Sequence, residues 1–154
     1  TQAMKLWVLR HGEAEPHGSK PHDSERELTD NGREEVLRAA ANLVGQPLTA
    51  IYASPYMRAQ QTAHLVKDAL GFEPEIRTVE WLTPDFDPDR VTDQLKSVTN
   101  VLLVSHNPLV GNLLSYLQHG AGHPPEKVST AGLAELENSE LLIGAMKLNS
   151  IKHP

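Results

Sequence analysis

Residues 101–104, Val-Leu-Leu-Val, contain no polar side chain, and the polar stretch Ser105-His106-Asn107-Pro108 follows at once. A strand turns successive side chains to opposite faces, so a strand that is apolar at every position must be covered on both. That is the condition of a central strand in a parallel sheet between two helical layers. The rest of the chain alternates to match. Residues 5–9, 51–53 and 75–79 read as further strands. Thr29 caps a helix beginning at Asp30, with Val36, Ala40, Leu43 and Val44 at helical spacing and Gly45 and Pro47 at its end. Ser54 and Pro55 read as the N-cap and first residue of a second helix, whose stripe is Ala59, Ala63, Val66 and Leu70 and whose stop is Gly71. Asp87-Pro88 opens a third helix carrying Val91, Leu95 and Val98, and Asn107-Pro108 repeats that start for a fourth carrying Leu109, Leu113 and Leu117. Residues 132–136 and 145–148 read as closing strands, one or both at an edge. The expected fold is one α/β domain over residues 1–154, a mostly parallel open sheet with helices on both faces, with Met4 as a natural start and residues 1–3 as a cloning remnant.

Three strand ends in this layout carry unusual residues. The first strand runs into Arg10-His11-Gly12, the second into Ser54-Pro55 with Arg58 close behind, and the 101–104 strand into Ser105-His106-Asn107. In open parallel sheets ligands bind beyond the carboxyl ends of the strands, so neighbouring strands would bring two arginines and two histidines to one place. Such a set suits phosphoryl chemistry. Guanidinium groups match phosphate oxygens in bidentate geometry, a helix N-terminus near Arg58 favours an anion, and a neutral imidazole can attack phosphorus through one nitrogen while the other is held. Gly12 reads as room for the backbone to approach a ligand.

Composition narrows the alternatives. The formal net charge is -6, which disfavours nucleic acid and anionic membrane as partners, so an anionic substrate must be drawn by a local cluster. The absence of cysteine excludes a thiol nucleophile and a thiolate metal site. No apolar run is long enough for a membrane span and no signal-peptide layout is seen, so the cytoplasm is the expected compartment. His11, Glu13, Glu15 and His17 are close in sequence, and His119 and His123 have the spacing of some zinc ligands. The first group has no partner motif, and Gly120 and Gly122 interrupt the second, so neither metal nor cofactor is expected.

With these residues in view, the chain resembles the histidine phosphatase superfamily. Arg10-His11-Gly12 is similar to its RHG motif, and Leu28-Thr29-x-x-Gly32 to its first-helix start. Ser54-Pro55-x-x-Arg58-Ala59-x-Gln61-Thr62 is similar to its second-arginine motif, and Ser105-His106-Asn107 to its second-histidine motif. The four occur in family order. The short chain and Leu82-Thr83-Pro84 look most like the SixA-type protein phosphohistidine phosphatases. The resemblance implies a phosphoglycerate-mutase-like fold, His11 as the nucleophile that becomes phosphohistidine, and Arg10, Arg58 and His106 as the groups that bind the phosphoryl oxygens and stabilise the transition state. Many relatives carry an acidic proton donor after the third strand. Here Glu80 is the nearest candidate general acid, followed by Asp85 and Asp87, and none lies in a matched pattern. Gln61 and Thr62 read as residues that pack against or orient Arg58.

Three functions compete on this reading. The first is removal of a phosphoryl group from a histidine of a phosphorylated protein, such as a histidine phosphotransfer domain. The second is the same chemistry on a small phosphate ester, as in a phosphatase or mutase of the superfamily. The third is a non-catalytic module that binds a phosphoprotein through its arginines.

Overall fold

A computed structural model describes residues 4–154; residues 1–3, read as a cloning remnant, lie outside the described residues. The elements follow the expected alternation. They are β1 (Met4–Arg10), α1 (Asp30–Ala41), β2 (Ala50–Ala53), α2 (Met57–Leu70), β3 (Arg77–Thr78), α3 (Pro88–Gln94), β4 (Val101–Ser105), α4 (Leu109–His119), β5 (Leu133–Asn138) and β6 (Lys147–Lys152). They form one six-stranded sheet in the order β3-β2-β4-β1-β5-β6. β3, β2, β4 and β1 pair in parallel, while β5 and β6 continue the sheet antiparallel.

The sheet divides the core in two, as the apolar run of β4 requires. Val101 and Leu103 of β4, with Leu6 and Val8 of β1, face Val91 of α3 and Leu109, Leu113 and Leu117 of α4. Leu102 and Val104, with Trp7 and Leu9, face Val36 and Ala40 of α1 and Ala59, Ala63 and Val66 of α2. Every β4 residue is buried. Among the described residues no helix is long and apolar enough to cross a membrane.

Several boundaries differ from the sequence reading. Ser54 does not cap α2; Tyr56 occupies that position and the helix starts at Met57. The Ser54 hydroxyl has another use, described below. α4 starts at Leu109, after a cis Asn107–Pro108 bond, so Pro108 is its N-cap and not its first helical residue. β3 shrinks from the expected five residues to two, both exposed, because it pairs only with the end of β2; short edge strands of this kind limit pairing with other chains. β6 runs longer and later than expected. Its half-exposed pattern contains only Leu148 and Ile151 as apolar guides, and its hairpin partner β5, through a bulge, sets its limits.

Candidate active site

β1 and β4 are neighbours, with Arg10 level with Ser105. The chain leaves β1 through α1 to reach β2, on the far side of β4, and leaves β4 through α4 to reach β5, on the far side of β1. The two connections depart in opposite directions, which opens a crevice at this point of the sheet edge. His11 and His106, the first residues beyond the two strands, sit there with ring centroids 5.0 Å apart. The His11 N–H donates to the Ser105 carbonyl at 3.0 Å, which continues the strand pairing one step into the site.

The His11 ring is held in one tautomer. Its Nδ1 lies 2.7 Å from the Gly12 carbonyl oxygen, which can only accept, so Nδ1 carries the proton and Nε2 keeps its lone pair. Arg58 Nε–H donates to that Nε2 at 3.3 Å. Burial lowers the His11 pKa to about 3, against a partial rise from the Gly12 bond and with further lowering by Arg58, Arg10 and Arg26. At neutral pH the ring is therefore an uncharged base whose unprotonated Nε2 accepts from Arg58.

His106 is 1% exposed, and its pKa falls to about 2, first through burial, then because both rings cannot readily be protonated side by side, and through the charge of Arg58. Its Nε2 lies 2.8 Å from Ser54 Oγ, while its Nδ1 is buried with no partner among the described residues. Ser54 Oγ also accepts the Tyr56 N–H at 3.2 Å. When the hydroxyl proton points at His106 Nε2, the proton of neutral His106 is on Nδ1. An unpartnered buried polar nitrogen is costly, and a second one, Arg10 Nε, belongs to a residue beside His11. Arg10 lines the cleft described below; His106 does not, although its ring lies 5.0 Å from that of His11. Ser54 thus holds the His106 ring where the sequence suggested a helix cap; a serine just before a proline gives no hint of which use is made of it.

The remaining residues hold this frame. Arg10 Nη1 and Asn107 Nδ2 both donate to the Val128 carbonyl, at 3.0 and 3.2 Å, which ties the strand-β1 end to the segment before β5. Thr62 Oγ1 donates to the Arg58 carbonyl and accepts the Gly12 N–H, so it locks the first turn of α2 to the His11 loop. Gln61 holds Glu27 and Leu28 instead of Arg58. Gly12 corrects the sequence reading. A Cβ there would meet the Gly32 carbonyl oxygen at 2.5 Å, so the missing side chain makes room for α1 and not for a ligand. Gly32 returns the fit, since a Cβ on it would collide with the Glu13 backbone. The Leu28-Thr29-x-x-Gly32 pattern is the other half of that contact, with Thr29 capping α1 and its N–H donating to the Glu13 carbonyl.

A cleft of about 310 Å³ leads to the site and is lined by Arg10, His11, Arg58, Asn107 and the 13–17 loop, with Arg26. Arg26, which the sequence reading did not single out, lines it, and Asp23, also not singled out, is bonded to Arg26 and Arg58 beside it; in sequence they are two charges in a polar loop. Glu80 is exposed on the turn after β3 and does not line the cleft, and no hydrogen bond to its carboxylate is present among the described residues. Asp85 is exposed, and Asp87 caps α3. His119 and His123 do meet beyond α4, with centroids 5.3 Å apart, but among the described residues no three metal-ligating side chains gather.

Comparison with known proteins bears on this arrangement. The family model of the histidine phosphatase superfamily (branch 1) matches residues 6–82, half of the chain. A relative from Escherichia coli (strain K12), the phosphohistidine phosphatase SixA, is 34% identical over 144 residues, which covers 89% of this chain and 87% of the relative. The chain belongs to the histidine phosphatase superfamily. This histidine phosphatase is also 35% identical, over 135 residues, to a SixA homolog from Haemophilus influenzae, with 79% and 80% of the two chains covered. The structure of the protein histidine phosphatase SixA complexed with tungstate superposes on it with a TM-score of 0.87 at 32% identity, over 98% of this chain and 97% of that one. The phosphoglycerate-mutase-like sheet expected for the superfamily is thus the fold observed.

Proposed function

We propose that this histidine phosphatase removes phosphoryl groups from histidine on a phosphorylated protein, such as a histidine phosphotransfer domain, in the cytoplasm, through a covalent intermediate on His11. The observation that carries the reading is the state of His11, which is neutral, fixed through Nδ1–H to Gly12, and has Nε2 presented toward Arg58. In the first step Nε2 bonds to phosphorus while the substrate P–N bond breaks, and the departing imidazole takes up a proton from water in the open cleft. In the second, water attacks the phosphorus of phospho-His11, the P–Nε2 bond breaks and neutral His11 returns as orthophosphate leaves. Arg10, Arg58 and the Nδ1–H of His106 stabilise the equatorial oxygens as charge gathers there.

Two features favour phosphohistidine over esters. Imidazole, with a pKa of about 6.5, leaves readily without a strong acid, whereas an alkoxide benefits greatly from one. The carboxyls that line the cleft are engaged elsewhere, Glu13 by Thr29 Oγ1 and Glu15 by the Glu27 N–H and Lys20. Asp23 is bonded by two arginines, and Glu80 stands outside the cleft. Residues 71–100 contribute none of the cleft lining, so no lid or sugar-gripping wall arises from them. We expect catalytic efficiency on a phosphohistidine-bearing protein to exceed that on phosphoglycerate or sugar phosphates by at least ~100-fold, about 2.7 kcal/mol of transition-state preference. Because Glu80 stands outside the cleft, Glu80→Gln should leave both rates unchanged. Steady-state kinetics on both substrate classes tests this. Equal or better efficiency on a small ester would assign the site to small molecules, and binding without turnover of either class would make the chain a phosphoprotein reader.

A further inference from the structure

The loop between β1 and α1 brings a carboxylate onto the arginines of the cleft. Arg58 Nη1 donates to the Asp23 carbonyl at 2.8 Å and Nη2 to Asp23 Oδ2 at 3.0 Å. Arg26 Nε donates to the other carboxylate oxygen, Oδ1, at 2.7 Å, and its Nη1 to the Glu15 carbonyl at 2.6 Å. One carboxylate therefore bridges two guanidinium groups, which would otherwise repel each other. Both arginines are buried, with side chains 8% and 4% exposed, while Asp23 is half exposed. The other acids of the cleft are turned to different partners. Glu13 accepts from Thr29 Oγ1, and Glu15 from the Glu27 N–H and Lys20. A buried arginine that lines a cleft with only one carboxylate shared between two cations carries more positive charge than its own contacts neutralise. Arg26 is also among the cations that hold the His11 pKa down, so its charge is felt at the candidate nucleophile.

We propose that Arg26 is a third arginine of the phosphoryl site, and that Asp23 is the positioning residue that sets Arg26 and Arg58 side by side. The inference rests on the cleft taking a phosphoryl group and extends that reading to two further residues. Asp23 is not a proton donor. Partial burial pushes its pKa up, but the bonds from Arg26 and Arg58 outweigh this and hold it below the usual carboxylate range, so it stays ionised. Its charge moderates a site that would otherwise hold the product dianion too strongly.

The experiment is orthophosphate binding by calorimetry near neutral pH on the whole chain, alongside steady-state kinetics. Arg26→Gln should weaken phosphate by about tenfold or more, as loss of a charge-assisted contact requires, and Arg26→Lys should recover most of that loss. Asp23→Asn keeps the backbone carbonyl on Arg58 and an oxygen for one guanidinium but removes the charge. It should tighten phosphate by about threefold while lowering kcat, because product leaves more slowly and Arg58 is less fixed. A residue that merely braced the loop would weaken phosphate and lower stability together. Unchanged phosphate affinity in folded Arg26→Gln, or weakened affinity in Asp23→Asn, would overturn the proposal. If Arg26→Gln does not fold, the sign of the Asp23→Asn effect decides. Phosphate binding is read without any phosphohistidine substrate, so failure of the substrate assignment leaves this test standing.

Discussion

Two buried neutral histidines make the stability of this protein depend on pH in a way that can be calculated. His11 has a pKa near 3 and His106 near 2, against 6.5 for the exposed ring of an unfolded chain. Between those values the unfolded chain binds protons that the native one does not. The stabilisation is full above the unfolded pKa and is lost progressively as pH falls from about 6.5 toward 3. Integrating from pH 7 to pH 5 gives a loss of about 2 kcal/mol for each ring, or about 4 kcal/mol for the pair. This is a large share of the ~5–15 kcal/mol that holds a domain of this kind folded. His11→Asn separates one ring from the rest, because its side-chain N–H can still donate to the Gly12 carbonyl while nothing remains to titrate. Urea unfolding at both pH values should show the variant losing about 2 kcal/mol less than wild type over the interval. Equal losses, within about 0.5 kcal/mol, would mean that His11 is not a buried neutral base. The argument for a ready nucleophile would go with it.

His11→Ala should fold yet lose turnover, and wild type quenched in alkali should retain a label that acid quench removes, since phosphohistidine is acid-labile; turnover in the folded variant would take His11 out of the mechanism. Tungstate or phosphate should inhibit competitively, and Arg58→Ala should weaken that binding by about tenfold or more, measured as an inhibition constant. Ser54→Ala should lower kcat by about tenfold with a smaller change in KM, since the His106 ring loses its hydrogen-bond partner, and Ser54→Thr should restore it. Gly32→Ala should cost at least ~2 kcal/mol in thermal unfolding and lower activity, because the added methyl meets the Glu13 backbone two residues from His11; a wild-type melting temperature would show that the contact gives way cheaply.

The layered α/β architecture was legible in residues 101–104, because a strand without a polar face can only be buried on both sides. The positions of Arg10, His11, Arg58 and His106 at strand ends were legible too, because chain order and strand direction place them at one edge of the sheet. What the sequence could not supply was adjacency. That β1 lies beside β4, with the crossovers diverging there, follows from strand pairing across 95 or so residues of chain, and it is this pairing that turns separate motifs into one crevice. The finer assignments needed tertiary contacts of the same kind. Gly12 serves α1 because Gly32 packs on it, and Ser54 serves His106 because β2 and β4 are neighbours. Asp23 and Arg26 looked like ordinary loop charges until the loop folded back over Arg58. Local pattern decides which residues can form helices and strands. Which polar atoms face one another depends on long-range packing, and the chemistry of this site is set there.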